Sequence, residues 1–236
     1  MEESGLIERL ISFGLTRQEA MIYLSLLTHG ELTGYEVAKI TGISRSNVYN
    51  GLAGLTDKGA AYVMEGAASK YSALNINEFC KNTMRSLEKD SQYLIENAPK
   101  VRIVTEGYIT IQGYHHIMDK IINMMESCDN RFYLLTPLDI LEQLETSLKK
   151  AIDRGIKAVI ITDKGYEQNG AIIYETVTIP RQIRFITDSA HVLTGEVTGK
   201  SEDTCLFSGQ ENLVTVLKEA LKNTITLIKL GKGNEG

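Results

Sequence analysis

The run SRSNVYN, Ser44 to Asn50, concentrates small hydrogen-bonding side chains at one place in the chain. If a helix starts here, Val48, Leu52 and Leu55 share one apolar face at i, i+4 and i+7. Arg45, Ser46, Asn47, Tyr49 and Asn50 are then left on the outside. These are the side-chain types that read duplex DNA: Arg pairs with guanine, Asn with adenine, and Ser and Tyr hydroxyls bond phosphate oxygens. Thr33 caps the preceding helix, where exposed backbone amides hold a phosphate favourably. Lys70, next to Ser69, is placed to reach a neighbouring phosphate backbone.

Other reactive residue types are arranged less productively. His115 and His116 are adjacent, so on a helix they point about 100° apart and do not chelate one metal together. Cys80, Cys128 and Cys205 are widely spaced and form no CxxC pair, which reads as reduced, buried thiols rather than disulfides or a zinc site. No GxxxxGK[ST] loop is present, and GQEN and GKGNEG are too short to cradle phosphate. Asp163, in TDKG, ends an apolar strand, as a plain turn or as the border of a ligand crevice. Met118, Met124 and Met125 fit a core better than a binding groove. Neither a cofactor nor a metal is expected.

Capped, apolar-periodic segments along the chain position these groups. TRQEAMIYLSLLTHG opens on Thr16 with Glu19 three residues later, a capping box. Ala20, Tyr23, Leu24 and Leu27 follow at helical spacing, and Gly30 is the stop. Thr33 and Glu36 repeat the device, with Val37 and Ile40 turned inward and Gly42 as terminator. Ser44 caps the third helix. Helix, short glycine-containing turn, helix is a helix-turn-helix, and AYVM and KYSAL, joined by EGAAS, form the hairpin called a wing. Gly51 and Gly54 each weaken the third helix by up to about 1 kcal/mol relative to alanine.

Residues 76–98 read as one long helix closed by Pro99. Cys80, Met84, Leu87, Ser91, Leu94 and Ala98 alternate steps of four and three, a short heptad-like seam. Such a helix either pairs between subunits or lies on its own domain. Beyond it, strands and helices alternate. An amphipathic helix carries Ile117, Ile121, Met124 and Met125, and RFYLLT and IKAVIITD are apolar strands. Thr136 as N-cap and Pro137 at the first position open a helix that runs to Gly155. QIRFIT, HVLTGEV and TCLFSG are three successive strands, and a last helix presents Leu213, Leu217, Leu221, Ile225 and Ile228. The expected organisation is an α/β multi-domain chain: 1–75 a winged helix-turn-helix, 76–100 a linker or dimerisation helix, and 101–236 an α/β regulatory domain.

Composition sets limits on function. The net charge of −5 is unlike that of many nucleic-acid binders. Residues 1–75 hold six Lys/Arg against eight Asp/Glu, although a local patch on an acidic body is enough for phosphate contacts. The acidic MEESGLIERL is not a signal peptide, and no apolar run approaches the roughly 20 residues needed to cross a bilayer, so a cytoplasmic chain without membrane attachment is expected.

The segment from Leu10 to Leu74, with its pattern GLT..EA..Y..LL..G..TG.E.A...GI.RS.VY..L..L..KG, resembles the TrmB family of transcriptional regulators. The resemblance covers about residues 6–98. It implies sequence-specific binding to double-stranded promoter DNA as a homodimer, and a C-terminal sensor that binds sugars in several members. The later region resembles the same family's phospholipase D-like domain through GYHHIMDKIINMMESCDNRFYLLTP, LKKAIDRGIKAVIITD and HVLTGEV…CLFSGQENLV. Phosphodiesterases of that fold use HxKxxxxD followed by a Gly/Ser-x-Asn element, in which histidine is the nucleophile and lysine neutralises phosphate charge. His191 stands at the histidine position, but Leu193 replaces the lysine and Thr198 the aspartate. Ser208, Gly209 and Asn212 preserve something of the later element. The resemblance therefore implies no catalytic residues. It leaves either a relict small-ligand pocket lined by His191, Ser208 and Asn212 or a packed domain that serves dimerisation. The chain also ends soon after this region, which puts maltose- or trehalose-type sensing in doubt.

The leading expectation is a homodimeric DNA-binding transcriptional regulator with a possible small-molecule effector. The alternatives are a phosphodiesterase of phospholipase D-like fold and an interaction adaptor that does not bind DNA.

Overall fold

Polar caps and apolar spacing divide the first unit into short helices. The computed structural model describes residues 2–66, 68–99, 107–176 and 179–232. They fall into two compact units, Met1–Val101 and Arg102–Gly236. The expected junction at residues 100–101 and most of GKGNEG lie outside the described residues.

The first unit contains α1 (Glu2–Ser12), α2 (Arg17–His29), β1 (Leu32–Thr33), α3 (Gly34–Thr41), α4 (Arg45–Asp57), β2 (Ala61–Met64), β3 (Lys70–Ala73) and α5 (Ile76–Asn97). Thr16–Glu19 and Thr33–Glu36 are both complete capping boxes, so α2 and α3 start where the sequence places them. Ser44 caps α4 by accepting the Asn47 N–H. The strands form a three-stranded antiparallel sheet in the order β1-β3-β2. Val37, Val48, Leu52, Leu55 and Tyr23 are fully buried. The Tyr23 hydroxyl donates to the Leu74 carbonyl at 2.8 Å, tying α2 to the end of the wing. Ile40, expected inward, is 45% exposed, and Leu27, last in the apolar spacing of α2, is 39% exposed. Each lies near the C-terminal end of its short helix, at the edge of the apolar stripe. Phe79 packs 5.5 Å from the Tyr23 ring and anchors the first turns of α5.

Gly51 and Gly54 are not merely weak points in α4. A Cβ on Gly51 would meet the Ile22 side chain at 2.5 Å, and one on Gly54 would collide with the Glu19 carboxylate. These glycines let α2 and α4 approach closely, which recovers in packing what they lose in helix propensity.

The second unit is a seven-stranded mixed sheet in the order β4-β10-β9-β8-β5-β6-β7. Its strands are β4 (Tyr108–Gln112), β5 (Arg131–Leu135), β6 (Lys157–Asp163), β7 (Ala171–Thr176), β8 (Gln182–Thr187), β9 (His191–Glu196) and β10 (Thr204–Ser208). β5, β6 and β7 run parallel to one another, and the remaining pairs are antiparallel. α6 (Tyr114–Glu126), α7 (Leu138–Gln143) and α8 (Glu145–Asp153) cover one face, and α9 (Glu211–Lys232) covers the other. Alternation along β5 explains the layering: Phe132 and Leu134 enter the α6–α8 core, whereas Tyr133 and Leu135 face α9. Met118, Met124 and Met125 are core residues, as the sequence suggests.

Three features depart from the sequence reading. The short edge strands β4 and β7 and the two-residue β1 were not anticipated, since their side chains are mostly exposed or half-buried and give no clean alternation. The helix expected from Thr136 to Gly155 is two helices that meet at Leu144. Thr136 is not its cap: its buried hydroxyl has no partner among the described residues, and the Leu138 N–H donates instead to Asp163 Oδ2 at 3.0 Å. A carboxylate from the end of β6 thus does the work assigned to the local threonine.

Cys128 and Cys205 are buried, as expected, whereas Cys80 is half-buried on α5. Burial pushes the Cys128 thiol up to about 11 and Cys205 to about 12, so both stay protonated at neutral pH.

Candidate nucleic-acid interface

The interface is built on α4. With Val48, Gly51, Leu52 and Leu55 buried, the opposite side presents Arg45, Ser46, Asn47, Tyr49 and Asn50, all exposed. Ser44 spends its hydroxyl on the cap, which leaves the side chains of the first two turns free for other contacts.

α3 shapes this surface. The Arg45 guanidinium lies over the Tyr35 ring, 4.6 Å from its centroid, and this stacking orients the arginine before any ligand arrives. Tyr35 was missed by sequence reasoning, because a contact across ten residues and a turn leaves no periodic signal. The Tyr49 ring is packed on Gly34, where an added Cβ would fall 2.6 Å from it. Tyr49 is nevertheless 51% exposed, so its hydroxyl end is held at a fixed place by the start of α3.

Thr33 and Lys70 meet directly, as register partners in β1 and β3. The Thr33 hydroxyl is already engaged: it donates to Glu36 Oε2 at 2.8 Å and accepts the Glu36 N–H at 3.3 Å. The backbone and hydroxyl bonds from Thr33 hold the Glu36 carboxyl below its usual range, with Lys70 adding to the effect. The corner therefore sets a cation near an anion without an ion pair between them, and Lys70 is the group there that is suited to phosphate. Lys58 is committed elsewhere. Its ammonium bonds Glu19 Oε2 at 2.6 Å and the Gly14 carbonyl at 2.9 Å.

The three expected ligand residues of the second unit lie near one end of β9 and β10. His191 is exposed and stacks on Phe207 with ring centroids 5.7 Å apart, and Lys120 of α6 sits 3.7 Å from the centroid of that same ring. Gly209 abuts the imidazole, its absent Cβ 3.4 Å from the ring. The Ser208 hydroxyl is buried, donates to the Gly107 carbonyl and accepts the Gln210 N–H. Asn212 is exposed and donates to the Tyr108 hydroxyl at 3.4 Å. Leu193, at the position of a phosphate-neutralising lysine, is fully buried in the α6–α8 core. Thr198 bonds the Asp203 carboxylate, which accepts three further N–H groups in a tight turn.

A buried trihelical core, a wing and an exposed polar row on the second helix of a helix-turn-helix define a winged-helix DNA-binding protein joined to an α/β domain. Residues 10–77 match the model of the sugar-specific transcriptional regulator TrmB. Residues 107–224 match that of the TrmB EBD N-terminal subdomain. The chain belongs to the TrmB family of DNA-binding transcriptional regulators. It is 24% identical to the uncharacterized protein YrhO of Bacillus subtilis (strain 168), over 98% of this chain and 88% of that protein. It is 27% identical to the HTH-type sugar sensing transcriptional regulator TrmBL1 of Pyrococcus furiosus, over 65% of this chain but 46% of that protein's length. The structure of TrmBL2, an archaeal chromatin protein, aligns with 95% of this chain and 98% of its own at 20% identity and a TM-score of 0.44. Among the described residues, no helix is long and apolar enough to cross a membrane.

Proposed function

We propose that the chain binds double-stranded promoter DNA as a homodimer, with α4 in the major groove and the second unit as a non-catalytic effector domain. The observation that carries this reading is the division of α4 into a fully buried apolar face and an exposed row of Arg45, Ser46, Asn47, Tyr49 and Asn50. In this reading Arg45 and Asn47 read bases, Ser46, Tyr49 and Asn50 support register, and Lys70 contacts a flanking phosphate. Thr33 contributes through the helix start it caps rather than through its occupied hydroxyl.

Few cations serve this surface, so one subunit binds weakly and affinity comes from engaging two half-sites at once. The exposed apolar residues of α5 supply a pairing face: Met84 is 61%, Leu87 58% and Leu94 62% exposed. The non-catalytic assignment is supported by Leu193, whose buried isobutyl group offers no charge to a phosphoryl group.

Selecting bound fragments from random duplex DNA, then measuring anisotropy on the winning sequence, tests the proposal. A palindromic site is expected. Arg45→Ala or Asn47→Ala weakens binding by about 1–3 kcal/mol and relaxes preference at one base pair per half-site. Wild-type binding by both variants, or affinity indifferent to salt, refutes the α4 assignment. Turnover of a generic phosphodiester that disappears in His191→Ala refutes the non-catalytic one.

A further inference from the structure

Between α9 and the sheet lies a groove of about 420 Å3, within the usual size range of small-molecule sites. It sits on the α9 face, whereas Leu193 and Phe207 belong to the α6–α8 face. Four lysines line it: Lys157 from the start of β6, and Lys218, Lys222 and Lys229 from α9. The three helical lysines recur at i, i+4 and i+11, so they share one side of α9. Tyr133 of β5 and Tyr174 of β7 lie on either side of β6, and Ile186 and Ile225 contribute apolar floor.

The charge in this groove is one-sided. Among the described residues, no carboxylate lines it. The ion pairs Lys58–Glu19 and Arg181–Asp139 involve none of these four ammonium groups. In a chain whose acids outnumber its bases, 30 to 25, this is a local reversal of sign. Like charges gathered at a concave, partly apolar surface repel one another and raise the local concentration of anions. Two of the lysines are also held in place. Lys218 Nζ donates to Ser189 Oγ at 3.0 Å, and Lys229 lies over the Tyr174 ring, 5.4 Å from its centroid.

We propose that this groove binds a small organic anion with a flat, ring-shaped body and a phosphate or carboxylate group. The ring rests on the tyrosines and the apolar floor, and the anionic group is bonded by the lysines. Neutral sugars fit it poorly, since they leave the ammonium groups uncompensated. This deepens the effector reading and rests on it only for the step from binding to regulation.

The test uses the full chain and 8-anilinonaphthalene-1-sulfonate, an aromatic anion whose fluorescence rises in such a groove. Saturable binding at one site is expected, at least tenfold weaker in Lys218→Ser/Lys222→Ser and in Lys157→Ser/Lys229→Ser. Both double variants change only exposed side chains, so far-UV circular dichroism and thermal midpoint stay as in wild type. Adenosine monophosphate displaces the dye, and adenosine at tenfold higher concentration does not. Dye binding that is absent or indifferent to the lysines overturns the site. Displacement by adenosine as effective as by the monophosphate overturns the ligand class. Displacement by duplex DNA at lower concentration than by the monophosphate reassigns the groove to nucleic acid and overturns the proposal. Lysine-dependent binding that leaves operator affinity unchanged upholds the groove and removes its regulatory role. Failure to bind any operator, with dye binding intact, refutes only the promoter-binding reading.

Discussion

Arg45 and Tyr35 form a stacked pair across the turn of the helix-turn-helix, guanidinium to ring centroid 4.6 Å. The arginine belongs to α4 and the tyrosine to α3, so the geometry of the turn fixes where the cation points. Removing the arginine should cost operator binding about 1–3 kcal/mol. Tyr35→Ala should cost less, about 0.5–1 kcal/mol, because it frees the arginine without deleting it. Anisotropy titrations of both variants on one operator check the order. A larger loss in Tyr35→Ala would mean that the tyrosine itself contacts DNA.

Glycine-to-alanine substitution inside a helix usually stabilises it, by up to about 1 kcal/mol. Gly54→Ala should do the reverse here, because the new methyl would displace the Glu19 carboxylate from its place under α4. A net loss of about 1–3 kcal/mol is expected, typical of overpacking. Gly51→Ala, against the flexible tip of Ile22, should lose less. Urea midpoints of the two variants decide the matter, and a gain in either would show that α2 and α4 separate at little cost.

Burial raises the Glu19 carboxyl, but the Lys58 ammonium and the Thr16 amide and hydroxyl outweigh it and hold the group below its ordinary 4.5. A folded value below the unfolded one contributes stability that is complete above the unfolded value. That stability is lost as pH falls through the lowered folded value. Glu19→Gln should therefore be less stable than wild type at pH 7, by about 1–3 kcal/mol for a buried charged bond. The two proteins should converge as pH drops below 4.5. Unfolding curves from pH 7 to 3 that stay parallel would assign the loss to shape rather than charge.

Leu87 and Leu94 are exposed on α5 by 58% and 62%, and Phe79, on the same helix, by 2%. Charging the exposed part should separate subunits without unfolding one. Leu87→Glu/Leu94→Glu is expected to shift a dimer to monomer in sedimentation velocity, and to weaken operator binding at least about tenfold through lost effective concentration. An unchanged dimer in the double variant would move the interface away from α5.

Legibility in the sequence followed the range of the forces involved. The two capping boxes, the inward face of α4 and the wing were all readable, since each depends on residues a few positions apart. Ile40 is exposed where an inward place is expected, because an ideal helical stripe continues past the point where neighbouring helices stop covering it. Thr136 invites a local cap by its position, but Asp163, 25 residues beyond Leu138, takes the Leu138 amide instead.

The polar row from Arg45 to Asn50, its apolar counterface and the strands β5, β6, β8, β9 and β10 were determined by the sequence itself, through hydrogen bonds and burial patterns that repeat every few residues. Only the tertiary structure decided that Tyr35 would orient Arg45 and that Glu19 would require a glycine at position 54. It also decided that Lys157 would stand opposite three lysines of a helix more than fifty residues away in the chain. Those relationships come from strand order and helix docking, and no local spacing in the sequence encodes them.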